Sequence, residues 1–450
     1  MGTRDTAAEA PRGEQAGQRG LLGFWTCTAL VVGNTIGIGI FMLPASLAPF
    51  GFNALIGWAV TVVGCVILAR VFARLAQSFP DADGPYGYIR RTQGEIPAFL
   101  AIWCYWVSLW ITNATIAVGV VGYLRAIAPP LAGLVSPPVF ALGLIWLFVA
   151  INLLGVRAGG LVQLLTTALK LLPMAAVIGL GLWILATEPA AYLAHPPTTA
   201  IALPQIMAAS TIALFAMLGL ESATVPAGRV RDPGRTIPRA TVFGTVLTAA
   251  IYIGVSIIPM LLIPQAELAG SQAPFVDLLN RLLGGDAGRW LGLFVVISGL
   301  GALNGWTLLC GELTRTMAAN GVLPAVLGGD NRRGAPALAL VVTGALASAM
   351  VAMNYSQSLV QAFTFLTILV TAANLPLYLF AAIALVVLRL RGQSSPRDLL
   401  VLGLLGAVYS VFAFVGIGLK PFLWALALAA AGLPIFLLTR ARRRTVERPD

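Results

Sequence analysis

Histidine is nearly missing from this chain: His195 is the single one among 450 residues. One imidazole supports neither a hydrolytic triad nor a histidine-bound metal. Cysteine is scarce as well. Cys27, Cys65, Cys104 and Cys310 all fall inside apolar runs without metal-ligand spacing, as small buried residues do. No phosphate-binding loop and no nucleophile beside a base is legible, so neither an enzyme nor a metal or cofactor site is expected. Charge is the third shortage, at 10% of residues against 58% hydrophobic. A soluble domain carries about 25% charged residues, so this composition belongs to a chain embedded in a bilayer. The charged rings or repeated filter of a conducting channel are not visible either.

Apolar length is what the chain has in abundance. Twelve runs have the length and polarity of membrane helices: 21–47, 54–79, 97–128, 137–156, 159–186, 204–228, 239–264, 288–320, 336–354, 359–389, 399–418 and 421–439. The expected fold class is therefore an all-α integral membrane protein of about twelve transmembrane helices. Residues 1–20 are polar without a signal-peptide core, and read as a cytoplasmic tail before a structural first span. The net charge of +11 sorts by loop. With the amino terminus inside, Arg125, Arg281, Arg289 and Lys420 fall outside and Lys170 within a span; every other basic residue is cytoplasmic. That bias puts both termini in the cytoplasm. The basic tail 440–450 reads as a topology and lipid-headgroup feature, with no nucleic-acid partner.

The first span contains an anomaly. Gly33, Gly37 and Gly39, followed by Pro44, are poor material for a continuous helix. A break at membrane depth frees backbone N–H and C=O groups, and is tolerated only where protein, water or a ligand takes them up. The sixth span has a second weak point in Phe215-Ala216-Met217-Leu218-Gly219-Leu220-Glu221. Five spans separate the two, so the first ten divide into a five-plus-five inverted repeat, each half opening on a broken helix, as in many secondary transporters. The repeats run over about 21–186 and 204–389, with extra helices over about 399–439. Helix amino ends at such breaks suit an anionic group, and freed carbonyls suit an ammonium. A zwitterionic amino acid offers both on one carbon. Glycines that merely allow close helix packing are the alternative.

Ionisable groups inside a membrane need a reason. Glu221 is the one acidic residue deep in a span; it either anchors the broken helix or couples transport to a proton or substrate. Lys170 lies well inside the fifth span. It is either a fixed cation stapling two helices or a proton-coupling group. In the third span Tyr105, Ser108, Thr112 and Asn113 fall on one polar stripe of an apolar helix, which turns inward. Trp306 beside Gly305, and Phe215, offer aromatic walls, worth about 0.5–2 kcal/mol each to a cation.

Five stretches carry a family resemblance: Gly33-Asn34 through Gly37-Ile38-Gly39 to Leu43-Pro44-Ala45; Gly84-Pro85-Tyr86-Gly87-Tyr88; Tyr105-Trp106, Trp110 and Asn113; Gly219-Leu220-Glu221-Ser222-Ala223; and Gly305-Trp306-Thr307-Leu308-Leu309. From about residue 20 to 440 the chain resembles the amino acid–polyamine–organocation superfamily, and within it the bacterial basic amino acid/polyamine antiporters, arginine/agmatine exchangers in particular. The resemblance implies twelve spans and alternating access. It also implies a substrate site at Asn34, Thr35, Ile36, Gly37, Ile38, Gly39, Phe215, Leu218 and Gly219. Asn113 would assist side-chain recognition, Trp306 would stack on the substrate's aliphatic part, and Tyr105 and Glu221 would gate or couple. It implies an inner-membrane location and an amino acid or amine as partner. The last two spans carry a dimer interface in that family, which leaves a homodimer open.

Three positions depart from the exchanger pattern. Ile38 replaces a serine, Phe215 a tryptophan, and Lys170 an apolar residue; proton-coupled members of the superfamily carry a lysine there. Exchange of a cationic amino acid for its decarboxylated amine is the leading expectation, with proton-coupled uptake through Lys170 as the alternative.

Overall fold

The computed structural model describes residues 23–79, 84–154, 156–220, 230–284, 287–354, 356–392 and 398–446. Glu221 lies outside the described residues. In chain order the helices are α1 (Phe24–Thr35), α2 (Gly39–Leu47), α3 (Phe52–Ser78), α4 (Gly84–Gln93), α5 (Glu95–Ile127), α6 (Pro129–Leu134), α7 (Pro137–Leu153), α8 (Val156–Thr187), α9 (Leu203–Ala216), α10 (Pro233–Leu262), α11 (Gln265–Gly270), α12 (Pro274–Leu283), α13 (Ala287–Ala319), α14 (Ala337–Met353), α15 (Leu359–Leu390), α16 (Asp398–Gly416), α17 (Leu419–Ala430) and α18 (Gly432–Val446). Among the described residues, eight segments are long and apolar enough to cross a bilayer by themselves, and four shorter apolar helices join them. Each coincides with one of the twelve runs read from the sequence.

The sequence ranges differ from the structure in three places. The last run bends at Ala431 between α17 and α18, and α18 continues as helix through Val446 into the basic tail. The segment between the seventh and eighth spans is not a plain loop. It folds into α11 and α12, and α12 buries Phe275, Val276, Leu278 and Leu279. The Gly84-Pro85-Tyr86 motif opens α4, whose Tyr88 and Ile89 are buried.

α5 is the axis of the bundle. Its residues from Ala101 to Tyr123 are buried almost without exception, and it packs along α13 and α15. Such packing explains the continuous apolar run with a few hydroxyls and amides, since no face of α5 meets lipid or water. By contrast α16 and α17 leave Val408, Val415, Leu423 and Leu426 exposed, as a lipid-facing helix requires. Small residues let the inner helices approach. A side chain at Gly64 would lie 2.3 Å from the Tyr409 ring, and one at Gly57 would lie 2.9 Å from the Ser210 amide. There α3 meets α9 closely enough for Thr61 Oγ1 to hydrogen-bond Ser210 O at 2.9 Å.

Candidate functional site

The first expected break lies in the bundle, and α9 ends at the second expected weak point; the continuation of the sixth span from residue 221 to 229 lies outside the described residues. α1 stops at Thr35, Ile36 turns to extended backbone (φ −75°, ψ 101°), and α2 restarts at Gly39. α9 stops at Ala216, followed by a turn over Met217–Gly219 in which Gly219 adopts φ +100°, a conformation open to glycine at little cost.

Three of the carbonyls released at the end of α1 have identified donors. Ile36 N–H donates to Val32 O at 3.0 Å. Lys170 Nζ donates to Gly33 O at 3.1 Å. The Tyr252 hydroxyl of α10 donates to Thr35 O at 2.9 Å. Lys170 is only 2% exposed, so its ammonium is fixed against the negative end of α1, where a cation is favoured. The contact ties α8 to α1 three residues before the break, a geometry that both sequence readings of this lysine share.

At the start of α2 the situation is reversed. Phe41 N–H reaches back to Ile38 O at 3.1 Å, while the N–H groups of Ile38, Gly39 and Ile40 precede any helical acceptor. A Cβ built at Gly37 meets nothing within 4 Å. This turn faces a cavity of about 30 Å³ that Thr35, Gly37, Ile38, Gly39 and Ile40 share with Phe215, Ala216 and Leu218 of the second break, Thr112 and Ile116 of α5, Trp306 of α13 and Asn374 of α15. That volume corresponds to about one water. An amino acid enters only if the helix halves part.

The two breaks touch directly. A Cβ at Gly39 would lie 2.6 Å from Phe215 Cε1, and the Phe215 ring meets Phe363 edge-on at 6.1 Å. The Ile38 side chain turns away from the cavity into a notch made by Gly119 and Gly299, where added Cβ atoms would lie 3.0 Å from it. Ile38 therefore offers its backbone to the cavity and its side chain to α5 and α13.

The polar stripe of α5 is buried but divided among partners. Thr112 lines the cavity. Asn113 is one step off it and accepts from Thr307 Oγ1 at 3.4 Å, beside Trp306. Ser108 Oγ accepts from Asn374 Nδ2 at 3.1 Å. Tyr105 is buried one turn further along and does not line the cavity. Asn34 is the second-to-last residue of α1.

Asn374 is the residue that the sequence reading overlooked. Its Oδ1 is buried and has no hydrogen-bond partner among the described residues, while its side chain borders the cavity. An unpaired buried acceptor is costly unless a ligand uses it. The signal was an amide two residues before Pro376, deep in a span whose other polar residues are mostly threonines.

One end of the site is sealed. The Tyr123 hydroxyl donates to Phe41 O at 2.8 Å and accepts from Phe275 N–H at 3.4 Å, linking α5, α2 and α12. Phe41 and Phe275 meet edge-on at 5.3 Å. No cluster of three or more metal-ligating side chains occurs among the described residues.

Sequence comparison agrees with this architecture. The profile of a family described as amino acid permease matches residues 22–430. The chain is similar to a putative arginine/ornithine antiporter of Bacillus subtilis (strain 168), with 32% identity over 92% of this chain and 96% of that protein. It is similar to the cadaverine/lysine antiporter of Escherichia coli (strain K12), with 34% identity over 73% of this chain and 74% of that protein. It is also similar to the putrescine transporter PotE of the same strain, with 28% identity over 94% of this chain and 96% of that protein.

Proposed function

The chain belongs to the amino acid permease family, and we propose that it exchanges a cationic amino acid for an amine, or for a second cationic amino acid, by alternating access across a bacterial inner membrane. The observation that carries this reading is the meeting of the two helix breaks around one small cavity, with donors on one side and an unpaired acceptor on the other. The substrate carboxylate docks on the amino end of α2. Its α-amino group goes to carbonyls of the broken ends, of which Ala216 borders the cavity. Lys170 and Tyr252 already occupy two carbonyls of α1, so α9 supplies the larger share. The cationic side chain lies between Phe215 and Trp306 and reaches Asn374 Oδ1, with Asn113 acting through Thr307. Antiport names among the relatives support the exchange. The five-plus-five repeat and cytoplasmic termini belong to the same reading. So does a homodimer through α17, which buries no residue within its own chain.

A competition screen in proteoliposomes tests it. Arginine, ornithine, lysine, agmatine, cadaverine and putrescine are expected to displace labelled arginine, while leucine and glutamate are not. Displacement by neutral amino acids alone would overturn the assignment. The second reading, proton-coupled uptake, has one observation in its favour: a buried lysine on the carbonyl of Gly33, beside the break. Uptake driven by an imposed pH gradient into vesicles without internal substrate would select it.

A further inference from the structure

A groove of about 890 Å³ runs along the seam between α1 and α10, lined by Phe24, Val242, Phe243 and Val246 together with Arg235 and Arg239. The two arginines are one helical turn apart and exposed, so they present guanidinium groups on one face. Neither makes an ion pair among the described residues. Arg235 lies in the first turn of α10, where the helix dipole disfavours cations and favours an anion. One turn on, the groove becomes apolar. Phe24, Trp25 and Phe243 pack with ring centroids 5.0, 5.8 and 6.2 Å apart, and Trp25 is 73% exposed. Aromatic residues of this kind sit at headgroup level.

We propose that this seam binds an anionic phospholipid, its phosphate on Arg235 and Arg239 and its acyl chain along Phe24, Phe243 and Val246. A free anion would use the arginines and leave the apolar wall unused. A neutral lipid would use the wall and leave two unpaired guanidinium groups. Basic pockets between membrane helices recognise acidic headgroups on these grounds. The site has a mechanical consequence. Gly244 of α10 lets Val31 of α1 approach so closely that an added Cβ would lie 2.9 Å from it. A lipid bridging the same helices braces the element that ends at the substrate cavity.

Native mass spectrometry of the full-length protein, with added dioleoylphosphatidylglycerol or dioleoylphosphatidylcholine, tests the proposal. One phosphatidylglycerol is expected to be retained about tenfold better than phosphatidylcholine. Arg235→Gln with Arg239→Gln should bring the two lipids to parity. Phe243→Ala should weaken phosphatidylglycerol several-fold with both arginines intact, and 10 mM inorganic phosphate (about a hundredfold over the lipid) should not compete. Arg239→Gln alone serves if the double variant does not fold. Undiminished preference in the arginine variants would overturn the proposal. Full displacement by phosphate with a silent Phe243→Ala would make the site one for free anions. A cross-link between residues 1–22 and α10 that added lipid leaves intact would assign the groove to the chain's own tail.

Discussion

Gly39→Ala tests whether the two helix breaks form one site. The new methyl would lie 2.6 Å from Phe215 Cε1 and 3.0 Å from Cδ1. Ordinary contact begins near 3.4 Å, so the ring or the start of α2 must yield by about 0.8 Å. Phe215 meets Phe363 edge-on at 6.1 Å and otherwise borders the cavity, so yielding shifts the ring into the space a substrate takes. Overpacking of this size costs about 1–3 kcal/mol of stability. Displacement of a substrate-positioning wall by about 1 Å costs up to about 100-fold in rate. Exchange of labelled arginine by purified, reconstituted protein should therefore fall by one to two orders of magnitude, with a modest loss in thermal midpoint. Phe215→Leu in the Gly39→Ala background removes the obstructing ring carbons and should restore a substantial part of the rate. Wild-type kinetics in Gly39→Ala would refute the reasoning, as would a double variant no faster than the single one.

Lys170→Met removes the donor to a buried carbonyl while keeping the side-chain volume, and should cost about 1.5–3 kcal/mol in unfolding measurements; exchange should persist in the folded fraction. Asn374→Leu removes the unpaired acceptor and should raise the KM for cationic substrates at least tenfold; because it also removes the Nδ2 bond to Ser108, its stability by thermal unfolding should stay within about 1 kcal/mol of the wild type. Tyr123→Phe deletes the 2.8 Å bond to Phe41 O and should loosen α2 from α5 by about 1 kcal/mol, seen as faster labelling of a cysteine placed at Ile40. Asp277 in α12 is held above the usual carboxylate range by burial, against the opposing hydrogen bond from Ser271. Its charged form is thus disfavoured by the fold at neutral pH. Asp277→Asn should unfold no earlier than the wild type at pH 7, and any advantage should vanish as pH falls through the raised value toward that of an unfolded aspartate.

Much of the architecture is legible in composition, because hydrocarbon leaves few options for a backbone. All twelve runs coincide with apolar helices, and glycine spacing locates both breaks. Lys170 stands out for the same reason: a cation at that depth requires a partner, and Gly33 O provides it. What was not legible depends on tertiary neighbours. The sequence cannot tell that the Ile38 side chain fills the Gly119–Gly299 notch, nor that Asn113 faces Thr307 while Asn374 faces the cavity. Periodicity places Tyr105, Ser108, Thr112 and Asn113 on one stripe, yet Ser108 meets Asn374 of α15 and Asn113 meets Thr307 of α13, because those helices flank α5 on either side. The α11–α12 segment escaped notice since its helices are short, and their apolar face is specified by contact with α2 and α13.

Obligatory exchange at the paired breaks is tested most directly by comparing loaded with empty vesicles. External labelled arginine should enter proteoliposomes that contain arginine, ornithine or agmatine, and should fail to accumulate in vesicles that contain buffer alone. Equal uptake into empty vesicles would contradict it.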